Sequence, residues 1–452
     1  KSVSYDILPV VYSKSQGAFE KVYIDVESLQ LKIIILLYTI KVVKRLKKIL
    51  KLLGPGFITG ASDDDPSGIA TYSQTGAQFG YSQLWTPLFT FPFMTFIQEM
   101  CGRIGLVTGK GLSGVIRKHY PRPLLYSAVF ILLIANTINI GANLGAMASS
   151  AQLVLGLPFI FWLISMTVLT LVLEIFLSYK VYARFLIDLT FSLFAYILVA
   201  IIVKQDWGAI FHATIFPRIS LTEDYVLNVI AILGTTISPY LFFWQANEEV
   251  EEEVLSGKLK MYGKGIPKVN NRDIHNMRID TIAGMFFSNL VMFFIIVTAG
   301  STLFRNGINT IYTVDQAASA LIPIAGSSAG ILFAIGIIGT GLLSVPVLSG
   351  SASYALSEAF GWKAGLYQKF RKAHGFYGVI TIATLIGPFR VLYYTAVING
   401  IAAPPLMILI IVTANNGKIM GKHKNSLISN IMGITITTLM FVSACLLLYL
   451  ML

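Results

Sequence analysis

The stretch GPGFITGASDDDPSGIAT, residues 54–71, decides how this chain folds. It begins and ends as an apolar membrane helix, yet Asp63, Asp64, Asp65 and Pro66 interrupt its middle. Proline removes a backbone donor and disfavours the helical conformation at the residue before it. Irregular backbone at membrane depth is tolerated only beside protein or a water-filled cavity. We therefore predict a broken helix whose carboxylates and freed carbonyls form an all-oxygen cation site.

The composition is that of a membrane protein. Of 452 residues, 55% are hydrophobic and 12% are charged, whereas soluble domains carry about 25% charged residues. This excludes a soluble globular enzyme, and the 29 Phe and 21 Tyr exclude a disordered chain. The two cysteines, Cys101 and Cys445, lie in apolar stretches, which excludes a disulfide framework and a thiolate metal site.

The hydrophobic segments have the length of membrane helices. A bilayer core about 30 Å thick requires about 20 apolar residues per helix. By this criterion the sequence predicts an all-α integral membrane protein with eleven transmembrane helices, at residues 54–78, 82–106, 124–154, 158–178, 184–203, 225–248, 279–304, 326–353, 374–389, 391–414 and 427–450.

The distribution of basic residues sets the orientation of these helices. With a cytoplasmic N-terminus, 30 of the 34 Lys and Arg fall inside, leaving Lys204, Arg218, Arg305 and Arg390 outside. Such a bias is what the positive-inside rule requires. We predict a multi-pass protein of a prokaryotic plasma membrane, with its C-terminus outside.

Residues 1–53 form a separate basic segment at the cytoplasmic or interfacial side. Leu29–Leu50 mixes Ile and Leu with six basic residues, and its apolar part is too short to span. This pattern is typical of a basic amphipathic helix on the inner membrane face, and a partly disordered tail is an equal alternative. Anionic lipid suffices as its partner, since no nucleic-acid motif is present.

A second break, GTTISPY, lies at residues 234–240, with Pro239 173 positions after Pro66. Each break opens a block of five helices, the first at 54–203 and the second at 225–414, followed by helix 11 at 427–450. An odd number of helices per block inverts the second block. Paired breaks in inverted halves predict a secondary transporter with its site at the membrane midplane.

Four motifs resemble the NRAMP family of divalent-metal transporters. They are Gly54-Pro55-Gly56, Asp65-Pro66, the tract RIGLVTGK at residues 103–110, and Ser238-Pro239. The likeness runs from about residue 50 to the end. It implies a LeuT-like 5+5 inverted repeat, alternating access, and metal held between the unwound helices 1 and 6.

Departures from the family pattern concern the substrate. The Asn of the family's Asp-Pro-Gly-Asn motif is Gly68 here, the sixth-helix Met is Ser238, the following His is Tyr240, and an acidic pair in helix 3 is Asn136 and Asn139. Loss of the thioether favours hard cations such as magnesium over transition metals. A wider oxygen-lined pocket suits magnesium, which retains several waters. The chain is therefore similar to the NRAMP-related magnesium transporters.

The predicted metal site contains Asp65 as the anchoring ligand. The resemblance adds backbone carbonyls at Ser62 and Thr235. The hydroxyls of Thr235 and Ser238 either bind metal, directly or through water, or bond to carbonyls of their own helix. Gly68 belongs to the site because its missing side chain leaves space.

Further polar residues are predicted to line the permeation path or surround the ion's water shell. Three asparagines of helix 3 form one stripe that either borders the path or packs helices together, and Asn399 carries the same two interpretations. These residues are Asp63, Asp64, Asn136, Asn139, Asn143, Tyr240 and Asn399. Glu99 is predicted to be structural or to line the inner vestibule. The run EEVEEE at residues 248–253 is predicted to be a solvated helix end, with an exit surface or a magnesium-sensing patch as the alternative.

The sequence thus predicts a uniporter-like carrier of magnesium, and also of manganese, that is not coupled to protons because asparagine does not titrate. No cofactor and no nucleotide partner are expected, since GLVTGKGL at residues 105–112 does not match a phosphate loop. The alternatives are a proton-coupled manganese or iron importer and an organic solute carrier of the same fold. An intramembrane enzyme is not supported, because H-E-x-x-H does not occur and the two breaks supply no pair of nucleophile and base.

Overall fold

The computed structural model describes residues 12–15, 18–21 and 53–450, with gaps at 178, 221, 312, 369 and 387–391. Two units are distinguished, residues 1–52 and 53–452. In the first, strand β1 (Tyr12–Ser15) pairs antiparallel with β2 (Ala18–Lys21). The amphipathic helix predicted at Leu29–Leu50 lies outside the described residues.

The second unit is built from α-helices, whose bounds in chain order are α1 Pro55–Asp63, α2 Pro66–Phe79, α3 Thr86–Thr108, α4 Leu112–His119, α5 Arg122–Leu155, α6 Phe159–Phe176, α7 Tyr179–Leu189, α8 Phe194–Ile202, α9 Trp207–Ile215, α10 Glu223–Thr236, α11 Pro239–Leu255, α12 Asn271–Thr302, α13 Val314–Ala325, α14 Ser327–Phe360, α15 His374–Ile386, α16 Leu392–Asn415, α17 Gly417–Met420 and α18 Leu427–Leu450. A 3₁₀ turn, Thr190–Leu193, joins α7 to α8.

Long apolar helices dominate this unit. Within the described residues, eight segments are long and apolar enough to cross a membrane: Arg122–Leu155, Phe159–Phe176, Val181–Ile202, Glu223–Leu255, Asn271–Asn306, Ser327–Phe360, Ile398–Asn415 and Leu427–Leu446. The prediction of a multi-pass helical membrane protein is thereby confirmed. The short helices α4, α9 and α13 were not predicted, because a bilayer-length criterion does not detect them.

Glycines bring α1 and α12 into backbone contact. A Cβ added to Gly60 would lie 2.2 Å from the carbonyl carbon of Gly284, so neither helix tolerates a side chain there. One turn away, the Asp280 carboxylate accepts hydrogen bonds from the backbone N–H groups of Gly54 (2.8 Å) and Gly56 (2.7 Å). The first N–H groups of a helix have no partner within it. Asp280 therefore holds the start of α1, and with it the segment leading to the first break.

Glu99 has a structural role, one of the two predicted. Its carboxylate receives Arg103 Nε at 3.0 Å and Arg278 Nε at 2.7 Å. Arg103 is buried and also donates to Asn425 Oδ1 at 2.6 Å. Glu99 thus joins α3 to α12, and Arg103 extends the contact to the loop before α18.

Candidate functional site

The chain is interrupted where the sequence predicted the first break. Helix α1 ends at Asp63, Asp64 has φ −82° and ψ 51°, and Asp65 is extended with φ −70° and ψ 166°. Pro66 then begins α2. Proline is tolerated at a first helical position because that residue's N–H has no helical partner. The three aspartates therefore occupy or border a non-helical turn between two half-helices.

Asp65 is held rigidly at this break. Its Oδ1 accepts hydrogen bonds from Ser67 Oγ (2.6 Å) and from the Gly68 N–H (2.8 Å), which caps α2. Its Oδ2 accepts one from Asn143 Nδ2 on α5 at 2.9 Å. The residue is only 2% exposed. A buried carboxylate with three donors is fixed in orientation and retains further acceptor capacity for a cation.

The second break, like the first, lies between two helices, the second of which begins with a proline. Helix α10 ends at Thr236, Ile237 and Ser238 are non-helical, and Pro239 begins α11. Thr236 Oγ1 donates to the Ile232 carbonyl at 2.5 Å, and Ser238 Oγ to the Thr235 carbonyl at 2.7 Å. Both hydroxyls therefore bond to carbonyls of α10, on the near side of the break, and for Ser238 this is one of the two alternatives stated.

The two breaks meet. The Tyr240 hydroxyl, on the first turn of α11, donates to the Ser62 carbonyl at 2.8 Å. A Cβ built on Gly68 would lie 3.2 Å from the Asp63 carbonyl oxygen, 3.3 Å from Thr235 Oγ1 and 3.5 Å from Asp65 Oδ1. The three atoms nearest to the missing side chain are thus all oxygens, contributed by both breaks.

These contacts change the predicted ligand set in two ways. The Ser62 carbonyl already accepts the Tyr240 hydroxyl, so one of its two lone pairs remains for an ion. The Asp63 carbonyl, which the sequence did not suggest, lies beside the Gly68 position. Ser67 and Asn143 also position Asp65 directly, and only the polar stripe of helix 3 had pointed towards Asn143.

The predicted path asparagines Asn136, Asn139 and Asn399 have different surroundings. Asn136 Nδ2 donates to the Leu348 carbonyl (2.9 Å) and to Ser351 Oγ (2.7 Å), both on α14, so it joins helices. Asn139 is fully buried, and its amide has no hydrogen-bond partner within the described residues. Asn399 Nδ2 donates a long hydrogen bond, 3.4 Å, to Ser238 Oγ, so the Asn399 side chain lies next to the second break.

The acidic run at residues 248–253 lies in a different environment from the one predicted. It was predicted to be solvated, yet Glu248, Glu249, Glu251 and Glu253 are each at most 5% exposed. Glu251 Oε1 accepts hydrogen bonds from the Tyr354 hydroxyl at 2.5 Å and from the backbone N–H of Leu366 at 2.7 Å. The prediction was wrong because local sequence does not reveal which loops and helices cover a helix end.

No sulfur or imidazole was expected near the cation. The described part of the chain contains no group of three or more His, Cys, Asp or Glu placed to hold a metal ion. The groups that meet at the two breaks are the Asp65 carboxylate, the Thr235 hydroxyl and the Asp63 carbonyl, and their oxygens are of the kind that hard cations prefer.

Two interrupted membrane helices that meet through oxygen atoms are typical of broken-helix secondary transporters. The family model described as "Natural resistance-associated macrophage protein-like" matches residues 56–450. The chain therefore belongs to the Nramp family, as its motifs had suggested.

Curated relatives of this chain are divalent metal cation transporters. The divalent metal cation transporter MntH of Deinococcus radiodurans is 25% identical over 382 residues, covering 83% of this chain and 84% of the relative. MntH of Caldanaerobacter subterraneus is 24% identical, covering 90% and 94%. These relatives are transporters, in agreement with the prediction that the chain is not an enzyme.

Two solved structures share the fold. The Eremococcus coleocola manganese transporter superposes with a TM-score of 0.73 at 16% identity, covering 88% of this chain and 86% of that structure. The nucleobase-cation-symport-1 family transporter Mhp1 superposes with a TM-score of 0.59 at 13% identity, covering 87% and 91%.

Proposed function

We propose that the chain is a divalent metal cation transporter that moves magnesium, and also manganese, by alternating access without proton coupling. Its family membership and the MntH relatives support divalent metal transport. The magnesium assignment depends mainly on one observation: the three atoms nearest to the position of a Gly68 side chain are oxygens of the Asp63 carbonyl, the Thr235 hydroxyl and the Asp65 carboxylate. Oxygen ligands suit a hard cation such as magnesium, which also retains several waters when it is bound.

The site proposed for this ion consists of Asp65 as the charged ligand, the Ser62, Asp63 and Thr235 carbonyls, and the Thr235 and Ser238 hydroxyls acting through water. Gly68 supplies room for that water. The Asp63 side chain, Asp64, Asn139 and the other path residues named above lie outside this ligand set. Oxygen ligands of this kind discriminate poorly between magnesium and manganese but provide no preference for soft metals.

The membrane potential provides sufficient driving force. A doubly charged cation moving inward gains about 4.6 kcal/mol per 100 mV, twice the value for one elementary charge. Asn136 and Asn139 stand where the family often has acidic residues, and Asn136 is engaged in bonds to α14. These non-titrating residues support our proposal that uptake needs no co-transported proton.

The architecture that we propose has eleven membrane helices in two inverted blocks of five, 54–203 and 225–414, followed by 427–450. Each block opens with a half-helix pair broken before a proline, α1/α2 and α10/α11. The charge bias supports a cytoplasmic N-terminus and an external C-terminus in a prokaryotic plasma membrane.

A second candidate is a proton-coupled manganese importer, which the manganese transporter among the structural neighbours favours. Proteoliposomes containing a pH dye and a magnesium indicator distinguish the two. At a fixed membrane potential, we expect saturable magnesium uptake that manganese inhibits, without internal acidification. Acidification that accompanies metal uptake, or manganese uptake that excess magnesium does not affect, would favour the second candidate.

A further inference from the structure

An open groove of about 420 Å³ lies on the surface of the helical unit, where α5 packs against α14. Its walls include Tyr126, Phe130 and Leu133 on α5, and Leu356 and Phe360 on α14. These residues are three or four apart on each helix, so they share one helical face. From Tyr126 to Leu133, α5 rises about 10 Å, at about 1.5 Å per residue. The groove is therefore long, shallow and mainly apolar.

Aromatic rings gather at one end of this groove. The Tyr126 and Phe360 rings stack with their centroids 5.9 Å apart, and the Trp362 ring stacks on Phe360 at 5.3 Å. Helix α14 ends here, with Gly361 as its C-terminal cap. Tyrosine and tryptophan are enriched where membrane helices reach the water interface. This end therefore lies at the membrane surface, and Leu133 lies about 10 Å deeper.

Two arginines lie at the same end of the groove. Arg117 Nη1 donates to the Glu358 carbonyl at 3.2 Å, and a Cβ added to Gly361 would collide with the Arg117 guanidinium. Arg122 precedes Tyr126 by one turn of α5, on the same helical face. Both arginines are exposed, and within the described residues neither forms a salt bridge. Their guanidinium groups are therefore available to an anion.

The surroundings keep an excess of positive charge. Residues 110–122 contain four Lys and Arg and no Asp or Glu, and the exposed Lys363 follows Trp362. The Glu358 carboxylate accepts hydrogen bonds from the backbone N–H groups of Gly111 (2.8 Å) and Gly114 (2.9 Å), so it is already engaged. In the orientation proposed above, this end faces the cytoplasmic leaflet, whose anionic lipids attract basic groups.

We propose that the groove between α5 and α14 binds one anionic phospholipid, with its phosphate at Arg117 and Arg122 and an acyl chain along the apolar walls. Guanidinium groups match phosphate oxygens in a two-point geometry. A groove about 10 Å deep fits within one leaflet, which is half of a hydrocarbon core about 30 Å thick. Residues 1–53 are a poorer occupant, because they are themselves basic.

The test is lipid binding to the full chain in a neutral detergent, measured by native mass spectrometry. Phosphatidylglycerol is compared with phosphatidylcholine of the same acyl chains, with EDTA present so that no divalent ion bridges the headgroup. One basic residue near an anionic lipid surface changes affinity about fivefold. We therefore expect the parent to bind one phosphatidylglycerol more than tenfold more tightly than phosphatidylcholine.

The variants separate the headgroup from the acyl chain. Arg117→Gln and Arg122→Gln should each weaken phosphatidylglycerol binding about fivefold and change phosphatidylcholine binding little. Arg272→Gln, which removes an exposed arginine at the start of α12, is the matched control and should bind as the parent does. Ser127→Trp fills the groove from an exposed position and should weaken the binding of both lipids. Ser165→Trp, on α6, should not.

Equal affinity of the parent for the two lipids overturns the proposal. So does phosphatidylglycerol binding that is unchanged in both arginine variants or in Ser127→Trp, because the lipid then binds elsewhere. A parent dimer that Ser127→Trp converts to a monomer also overturns it, since the groove is then an interface between two copies. These measurements contain no transported ion, so their failure leaves the proposed function intact.

Discussion

Replacing Gly68 by alanine tests whether the space beside the break belongs to the ion. The new methyl would lie 3.2 Å from the Asp63 carbonyl oxygen, 3.3 Å from Thr235 Oγ1 and 3.5 Å from Asp65 Oδ1. Those contacts are tight but need shifts of only a few tenths of an ångström. Alanine also favours the α2 helix by about 0.5–1 kcal/mol. The two effects oppose each other, so the stability of the protein should change little.

The effect on ion binding should be much larger. A methyl group occupies roughly the volume of one water, about 30 Å³. A hydrogen bond to a charged group is worth about 1.5–3 kcal/mol. Displacing a water that joins the ion to Asp65 should therefore weaken magnesium binding by about 10- to 150-fold.

The assay is the magnesium concentration at half-maximal uptake in proteoliposomes, with the melting temperature measured on the same preparations. Gly378→Ala is the matched control, because it also adds a methyl to a helical glycine, in α15, with no atom within 4 Å. We expect the control to transport as the parent does. An unchanged half-maximal concentration in Gly68→Ala, with both variants equally stable, would refute the argument that this space holds the ion's water.

Three further substitutions test separate contacts. Ser238→Met places a thioether at the second break and should shift competition uptake towards manganese; unchanged selectivity would count against the oxygen-lined pocket. Tyr240→Phe leaves the Ser62 carbonyl without its hydrogen-bond donor and should lower the stability of the ion-free protein by about 1–3 kcal/mol. Because a bound ion can take the place of that donor, magnesium should stabilise this variant more than it stabilises the parent. Equal melting curves for variant and parent would contradict this. Asp280→Asn removes the charged acceptor of the Gly54 N–H and should destabilise the start of α1, seen as faster amide exchange there; unchanged exchange would show that the contact is not needed.

The sequence was informative where local chemistry alone determines structure. Prolines at 66 and 239 disfavour helical backbone at the residues before them, so the positions of both breaks follow from the order of the residues alone. The choice of Asp65 among the three acids at the first break came from the resemblance to the Nramp motif, and its role as a ligand stays a prediction. The lengths of apolar segments likewise predicted the long membrane helices.

The remainder depends on contacts between distant parts of the chain. The bond from Tyr240 to Ser62 joins residues 178 positions apart, and that from Ser288 to Asp63 joins residues 225 apart. No local pattern specifies such pairs. The burial of Glu248–Glu253 was missed for the same reason, because a run of charges is solvated only when nothing covers it.

Magnesium uptake by proteoliposomes containing Asp65→Ala, beside the parent and Asp224→Ala, tests the central claim most directly. The claim is that the Asp65 carboxylate, at the junction of the two breaks, binds the transported ion. We predict saturable uptake in the parent and in Asp224→Ala, and almost none in Asp65→Ala at equal protein content and fold. Uptake by Asp65→Ala at the parent's rate and half-maximal concentration would contradict the claim.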